Sequence, residues 1–193
     1  MKNNVKILMD LGAEVPMYQI DGVVHVLGSI YLENRKLKSI PVPFGKVSGD
    51  FSISRNRIKD LSNCPKDVIC LDLSNNILRS LKGAPGHVKS LNISNNPYLN
   101  TILHAPYSVE IAEKQYSLGL VKNTHFKGTN IPDDELEMYF RACVLGTWES
   151  NLSLDENLRK LLKVDPTALN EKWSLLQHPN IRTLVSAVNI GLL

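Results

Sequence analysis

The sequence predicts an α+β fold, in which a parallel β solenoid of about 20-residue coils lies between an N-terminal helix and hairpin cap and a C-terminal helical subdomain. Asn56, Asn76 and Asn96 follow one another at intervals of 20 residues, each at the end of the same short apolar phrase. A repeat of this length is typical of solenoids. Helix signals replace the phrase in the last third of the chain. We therefore expect the cap over residues 1–26, the solenoid over 27–115, and a junction with helices over 116–193.

Each copy of the phrase predicts one short strand. Apolar residues two positions apart, such as Leu71 and Leu73, point to the same face of a strand. Parallel stacking of the copies, about 4.8 Å apart, aligns these residues into two buried columns. The first column contains Phe51, Leu71 and Leu91, and the second contains Ile53, Leu73 and Ile93.

The asparagine that closes each strand predicts a second kind of stacking. An amide both donates and accepts, so Asn56, Asn76 and Asn96 can satisfy turn backbone groups in a ladder between neighbouring coils. We interpret this ladder as structural and not as a ligand site. A small residue and a proline then close each coil, at Cys64-Pro65, Ala84-Pro85 and Ala105-Pro106. Because proline forbids helix continuation, the return limb of each coil should be extended or turn-like.

Residues 1–26 carry the signals of a cap. Residues 3–12 predict one amphipathic helix that ends at Gly12. Its apolar face contains Val5, Leu8, Met9 and Leu11. The segment from Met17 to Val26 alternates around Asp21-Gly22, which is the strongest hairpin signal in the chain.

Two weaker copies of the phrase flank the clear ones. A degenerate first coil places these residues at the apolar positions: Leu27, Ile30, Leu32, Leu37 and Ile40. Arg35 stands there in place of the asparagine, which predicts a weaker first rung of the ladder. After the third clear copy, Val109 to Ala112 predicts a fifth strand.

The remainder of the chain predicts a polar junction over 122–130 and then helices. Pro132 and the acidic residues after it start a helix that should run to Gly146. Its apolar stripe contains Leu136, Tyr139, Phe140, Cys143 and Val144. Ser153 and Glu156 have capping-box spacing and open a second helix that reaches residue 162. Two further helices are expected over 165–177 and 179–188.

Charge and cysteine content narrow the function classes. The net charge is only +3 across 193 residues, so bulk charge does not indicate a nucleic-acid binder. Residues 1–114 hold 14 Lys and Arg against 10 Asp and Glu, so the positive excess belongs to the repeats. Three cysteines without Cys-x-x-Cys or Cys/His spacing predict reduced thiols and no metal site. The apolar run near the N-terminus is too short for a signal peptide or a membrane span, so we expect a cytoplasmic protein without membrane contact.

The repeat phrase resembles that of a known group of proteins. Residues 47–61 read VSGDFSISRNRIKDL, and residues 73–85 read LSNNILRSLKGAP. With the leading IPVPFGKV of residues 40–47, they resemble the degenerate leucine-rich repeats of tailed-bacteriophage proteins, over roughly residues 20–112. The resemblance implies a leucine-rich-repeat solenoid of viral origin, located in the cytoplasm of a bacterial host cell or in the virion. It implies no particular activity.

No catalytic, cofactor-binding or metal-binding motif stands out. The five histidines show no metal-ligand spacing, and no phosphate-binding glycine loop occurs. The acidic group Asp133, Asp134, Glu135 and Glu137 could act as paired carboxylates, but a helix N-terminus explains it better. Cys143 could be a nucleophile, yet its apolar neighbours favour a buried core thiol. We therefore expect neither enzyme activity nor a cofactor.

The strand face that points away from the core is the first candidate binding surface. Alternation along the strands places on it Tyr31, Asp50, Ser52, Asp72 and Asn92. Such a face is continuous in solenoids and often binds partners. Here it is polar and slightly acidic, with Tyr31 as its only aromatic anchor. The alternative is a merely solvated sheet.

A column of basic residues is the second candidate surface. Lys38, Lys59 and Arg79 fall in one register after successive strands, with Arg55 and Arg57 nearby. Because stacked like charges repel, the column would suit an anionic partner. The alternative is a solubilising edge, since aromatic residues for base stacking are absent from it.

Together these observations predict a non-catalytic protein-binding module, a phage factor that binds and inhibits a host defence protein. Two other functions stay open. One is a virion structural or assembly component that docks through its C-terminal helices, and the other is a nucleic-acid binder that uses the basic column.

Overall fold

The computed structural model describes residues 3–114 and 125–165. Within these ranges it confirms the α+β prediction, with short strands in small parallel and mixed sheets and four helices. The strands are β1 (Met17–Ile20), β2 (Val23–Val26), β3 (Ile30–Tyr31), β4 (Phe44–Val47), β5 (Phe51–Ser52), β6 (Cys70–Asp72), β7 (His87–Val88), β8 (Ser90–Asn92) and β9 (Tyr107–Ser108). The helices are α1 (Asn4–Asp10), α2 (Val109–Lys114), α3 (Asp133–Val144) and α4 (Leu154–Val164).

The strands form three sheets. A mixed sheet has the order β1-β2-β4, a parallel sheet has the order β3-β5-β6-β8, and β7 pairs with β9 in parallel. The strands β4, β7 and β9 lie in return segments, and the remainder of these segments consists of turns and bends, in agreement with the predicted extended or turn-like limb. Helix α2 packs against β8 and α3, and α3 packs against α4.

The four-stranded sheet aligns the apolar columns that the repeat predicted. Phe51 pairs with Leu71, and Leu71 pairs with Leu91. These three side chains, and the second column of Ile53, Leu73 and Ile93, are at most 1% exposed. The burial follows from alternation, because each strand turns every second side chain toward the interior.

The asparagines of the repeat bridge successive segments through their buried amides. The Asn76 Nδ2 group donates to the backbone oxygens of Ile53 and Leu73, at 3.0 and 3.1 Å, and its Oδ1 accepts from the backbone N–H of Ile58 at 2.9 Å. Asn56 and Asn96 make the equivalent bonds one segment earlier and one segment later. Arg35 has no amide to continue the series, and its own backbone N–H donates to Asn56 Oδ1.

The N-terminal prediction holds with two corrections. Helix α1 is capped by Asn3 and ends before Gly12, and β1 and β2 form the expected hairpin with Asp21 and Gly22 at positive φ. Met9 is 61% exposed, so its place on the apolar face of α1 was wrong, and Ile7 contacts the core instead. Leu27 is 59% exposed, because it follows the hairpin strand and precedes the turn at Gly28.

The predicted fifth strand is wrong, since Val109 begins helix α2. Two causes are visible. The segment contains alanine, glutamate and lysine, which favour helices. The edge of β8 that a fifth strand would occupy is also taken, because the backbone N–H groups of Ile93 and Asn95 donate to the carbonyls of His125 and Lys127 at 2.9 and 2.6 Å.

The first two C-terminal helices match their predictions. Helix α3 starts after Pro132 and ends before Gly146, and α4 opens with the complete Ser153–Glu156 capping box. Most of the predicted stripe of α3 is buried, but Val144 is 39% exposed on the last turn. The two later predicted helices lie outside the described residues, except for Asp165.

Candidate functional site

A polar groove runs across the strand face of the four-stranded sheet. It has a volume of about 290 Å³ and receives side chains from all four strands and from the segment that closes β8. Its polar lining consists of Tyr31, Glu33, Asp50, Ser52, Cys70, Asp72, Ser90, Asn92 and His125. All five residues predicted for this face are therefore brought together. We call this surface the strand-face groove.

Two of the groove residues also hold their own turns. The carboxylate of Asp72 accepts from the backbone N–H of Ser74 at 2.9 Å. Asn92 Oδ1 accepts from the backbone N–H and the hydroxyl of Ser94, at 3.1 and 2.9 Å. Such bonds stabilise the local turn. Replacement of either side chain would therefore disturb the turn as well as the surface of the groove.

The middle of the groove contains a thiol next to a carboxylate. Burial raises the pKa of Cys70, and the Asp50 carboxylate, which accepts a hydrogen bond from the thiol and repels its anion, raises it further. A nucleophilic cysteine needs the opposite shift. The backbone at Asp50 is itself held in place, because its N–H donates to the Ser29 hydroxyl at 2.9 Å. The arrangement suits hydrogen bonding and charge recognition better than covalent chemistry.

Tyr31 stands at one end of the groove and is its exposed aromatic residue. Its side chain is 53% exposed. It also lines a second hollow of about 240 Å³, formed with residues 12–15 and 29–30. His125 lies at the opposite end of the groove. Sequence reasoning missed His125, because residues 122–130 carry no repeat signal and were predicted to be a junction.

The basic column is exposed but is not uniformly positive. Lys38, Lys59 and Arg79 are all exposed, as are Arg55 and Arg57. Asp60 follows Lys59 directly, and hydrogen bonds from the Ser62 hydroxyl and backbone N–H lower the pKa of Asp60. The Arg79 guanidinium lies 6.0 Å from the ring centre of Tyr98, within cation–π range. Arg55 does not belong to the basic column, because it lines a separate hollow together with Glu33 and Asp72.

The acidic group at the start of α3 is mainly structural. The Glu135 carboxylate accepts from the Thr101 hydroxyl at 2.7 Å and from the Ile102 backbone N–H at 2.9 Å. Burial raises the pKa of Glu135, although these two hydrogen bonds oppose the shift. The contact fastens α3 to the return segment after the third repeat, a long-range pairing that the helix N-terminus signal did not predict.

Cys143 lies in the core, as its sequence context predicted. It is fully buried, and burial raises the pKa of its thiol to about 12. Cys64 is likewise buried, with a thiol pKa raised to about 12 by burial. The three cysteines are free thiols. Neither buried thiol has the low pKa or the access that a nucleophile requires.

A larger hollow lies between the return segments and the loop after α3. It has a volume of about 610 Å³ and includes His87, Tyr107, Trp148 and Glu149. The Trp148 indole N–H donates to the Ala105 carbonyl at 2.8 Å, and Glu149 forms an ion pair with Lys160. The Trp148 indole N–H and the Glu149 carboxylate already have partners inside the chain, so the hollow offers few free polar groups to a ligand.

The described residues form neither a metal site nor a membrane span. Within residues 3–114 and 125–165, no group of three or more His, Cys, Asp or Glu side chains could hold a metal ion. None of the helices in those ranges has both the length and the apolar character to span a membrane. Comparison with protein-family models, curated proteins and solved structures finds no match to this chain.

Proposed function

We propose that this chain is a leucine-rich-repeat-like β solenoid that works as a non-catalytic protein-binding module. The observation that carries the proposal is the strand-face groove, to which four successive parallel strands and residue 125 each contribute polar side chains. A surface assembled from separate chain segments on a rigid sheet is preorganised, which lowers the entropic cost of binding. The 20-residue spacing of the paired strands and the bridging asparagines support the solenoid.

The resemblance of the repeat phrase supports a more specific proposal. The module is a phage factor that acts in the bacterial cytoplasm, where it binds and inhibits a host protein. The three free cysteines suit a reducing compartment. A non-catalytic inhibitor needs only surface complementarity, which the polar groove provides.

Affinity capture from bacterial lysate tests the proposal. The tagged full chain is compared with Asp50→Lys, which reverses a charge inside the groove, and with Asp67→Lys, which makes the same change at an exposed site paired with Lys46. We expect one stoichiometric host protein that is lost with Asp50→Lys and kept with Asp67→Lys. Circular dichroism confirms that both variants are folded. Capture that is absent, or equally sensitive to both changes, would reject the groove as the binding surface.

Nucleic-acid binding is the second candidate, and the Arg79–Tyr98 contact favours it. This contact places an aromatic ring beside the basic column, which the register of Lys38, Lys59 and Arg79 alone did not provide. The hypothesis predicts binding that weakens steeply with salt and with charge reversal at these three positions. A gel-shift titration with single-stranded and double-stranded probes at two salt concentrations tests it, and no shift at low salt would dismiss it.

A further inference from the structure

The parallel sheet has one backbone edge that is open in the described residues. Strand β3 is the terminal strand of the order β3-β5-β6-β8. The backbone N–H groups of Ile30 and Leu32 donate to Asp50 and Ser52 of the β5 segment, both at 2.8 Å. Alternation along a strand therefore directs the N–H and C=O of Tyr31 away from the sheet. An extended segment from another molecule can pair with such an edge.

Two hollows meet at the Tyr31 side chain. Tyr31 lines both the strand-face groove and the hollow of about 240 Å³, whose lining also includes Val15 and the almost fully buried Ile30. Tyr31 is 53% exposed between them. Tyrosine is one of the residue types enriched at binding hot spots.

The charged side chains that line the two hollows are acidic, although Arg55 shares a neighbouring hollow with Glu33 and Asp72. Glu14 lines the smaller hollow, and Glu33, Asp50 and Asp72 line the groove, whereas neither lining includes a lysine or arginine. Arg35 packs beside Gly12 but is absent from both linings. The surface therefore complements a cationic segment, although the chain as a whole has a net charge of +3.

We propose that the protein partner contributes an extended segment with alternating basic and apolar side chains, which pairs with β3 at Tyr31 as an added strand. This inference rests on the proposed protein-binding function and names the chemistry of the partner. Side chains of the added strand that face the groove lie about 5 Å from Tyr31, within reach of a cation–π contact and of Glu33. The side chain between them points to the opposite face of the sheet, where the neighbouring Ile30 belongs to the apolar core, so it is small and apolar.

A second copy of this chain fits the edge less well. Pairing β3 with β3 of another copy brings the carboxylates of Glu33 and Glu14 toward their own counterparts, and like charges across paired strands are unfavourable. Sedimentation of the full chain at several concentrations distinguishes this outcome. If the chain forms a dimer whose stability changes with Glu33→Lys, the edge serves self-association and the proposal is overturned.

A peptide probe tests the inference directly. The probe is a fluorescent peptide with the core Lys-Val-Lys-Val-Lys, compared with Glu-Val-Glu-Val-Glu and with the same basic peptide N-methylated at alternate residues. We expect only the unmodified basic peptide to bind the full chain, because the acidic peptide is repelled and the methylated one cannot complete the backbone pairing. Binding should slow hydrogen exchange of the Tyr31 amide at least 10-fold.

Matched variants separate the edge from general surface charge. Tyr31→Ala and Glu33→Lys should each weaken peptide binding at least 5-fold. Tyr98→Ala, at another exposed tyrosine, and Asp67→Lys should change it less than 2-fold. Absence of binding, equal binding of the methylated peptide, or protection away from β3 would overturn the proposal. If a host protein is still captured through Asp50 in that case, the proposed function stands without this edge.

Discussion

The two edge strands of the four-stranded parallel sheet, β8 and β3, differ in how their outer backbone groups are paired. At β8 the backbone is closed by the carbonyls of His125 and Lys127, and Phe126 is fully buried against the rings of Tyr139 and Phe140. At β3 the apolar column is covered, but within the described residues β3 pairs with β5 alone, so its other backbone edge has no partner strand there. The difference teaches that a stacked sheet must cover its apolar columns at both ends, while a short polar edge can remain available for binding.

The closed end should respond most strongly to mutation. Phe126→Ala removes a fully buried ring that anchors the closing segment, and we expect it to lower the free energy of unfolding by about 3–5 kcal/mol. Urea denaturation measures the loss. Tyr98→Ala, at an exposed ring, is the control and should cost less than about 0.5 kcal/mol. Similar losses in the two variants would show that residues 125–127 do not stabilise this end.

The interior of the sheet, which both ends share, depends on the asparagine amides. Asn76→Asp keeps the oxygen that accepts from Ile58 but places a carboxylate against the carbonyls of Ile53, Leu73 and Ser74. Loss of these donated bonds in a buried site should cost about 3 kcal/mol. The exposed Asn100→Asp is the matched control. If the two variants unfold at similar temperatures, the bridging amides contribute little to stability.

The attachment of α3 at the closed end should be weaker and pH-dependent. Glu135→Ala leaves the Ile102 N–H and the Thr101 hydroxyl without their acceptor, which should cost about 2 kcal/mol at pH 7. Glu135→Gln retains an acceptor and should cost less.

The sign of the pH effect follows from the carboxyl group. Burial raises the pKa of Glu135 in the folded chain above the value of about 4.5 that the carboxyl has in the unfolded chain. The folded chain therefore binds this proton more readily than the unfolded chain does. As the pH falls from 7 through the raised pKa, the wild-type protein should therefore gain stability relative to Glu135→Gln, and the gain stops below the unfolded value. Denaturation at several pH values measures the difference, and a difference that is independent of pH would contradict it.

A small stabilising effect is expected next to the open end. Arg55 has φ +55°, a conformation that asparagine adopts at the equivalent positions 34, 75 and 95. Arg55→Asn should therefore stabilise the protein by about 0.5–1 kcal/mol, because asparagine tolerates this conformation better. Arg57→Asn, at an exposed arginine without positive φ, is the control and should be near neutral. A destabilised Arg55→Asn variant would mean that the arginine side chain makes a compensating contact.

The role of the open end at β3 can be tested by measuring how one variant changes both the unfolding free energy and peptide binding. Tyr31→Ala should leave the unfolding free energy within about 0.5 kcal/mol of the wild-type value, since the side chain is more than half exposed. The same variant should weaken the peptide contact described above. A large loss of stability would show that Tyr31 belongs to the packing of this end and is not a free binding residue.

The sequence by itself determined the local features of this protein. The 20-residue spacing aligned Phe51 with Leu71 and Leu91, Asp21-Gly22 specified the hairpin, and Ser153 with Glu156 specified the start of α4. Each of these depends on residues that are close in the chain or identical between repeats, so periodicity and turn chemistry are sufficient to find them.

Only the tertiary structure decided how the sheet ends and which side chains meet in the groove. The edge of β8 could pair with a fifth strand or with residues 125–127, and local sequence does not report that competition. It is settled by long-range burial of Phe126 and by the contact of Glu135 with Thr101, which bring together segments about 30 residues apart. The same closure places His125 in the groove and leaves β3 as the open edge.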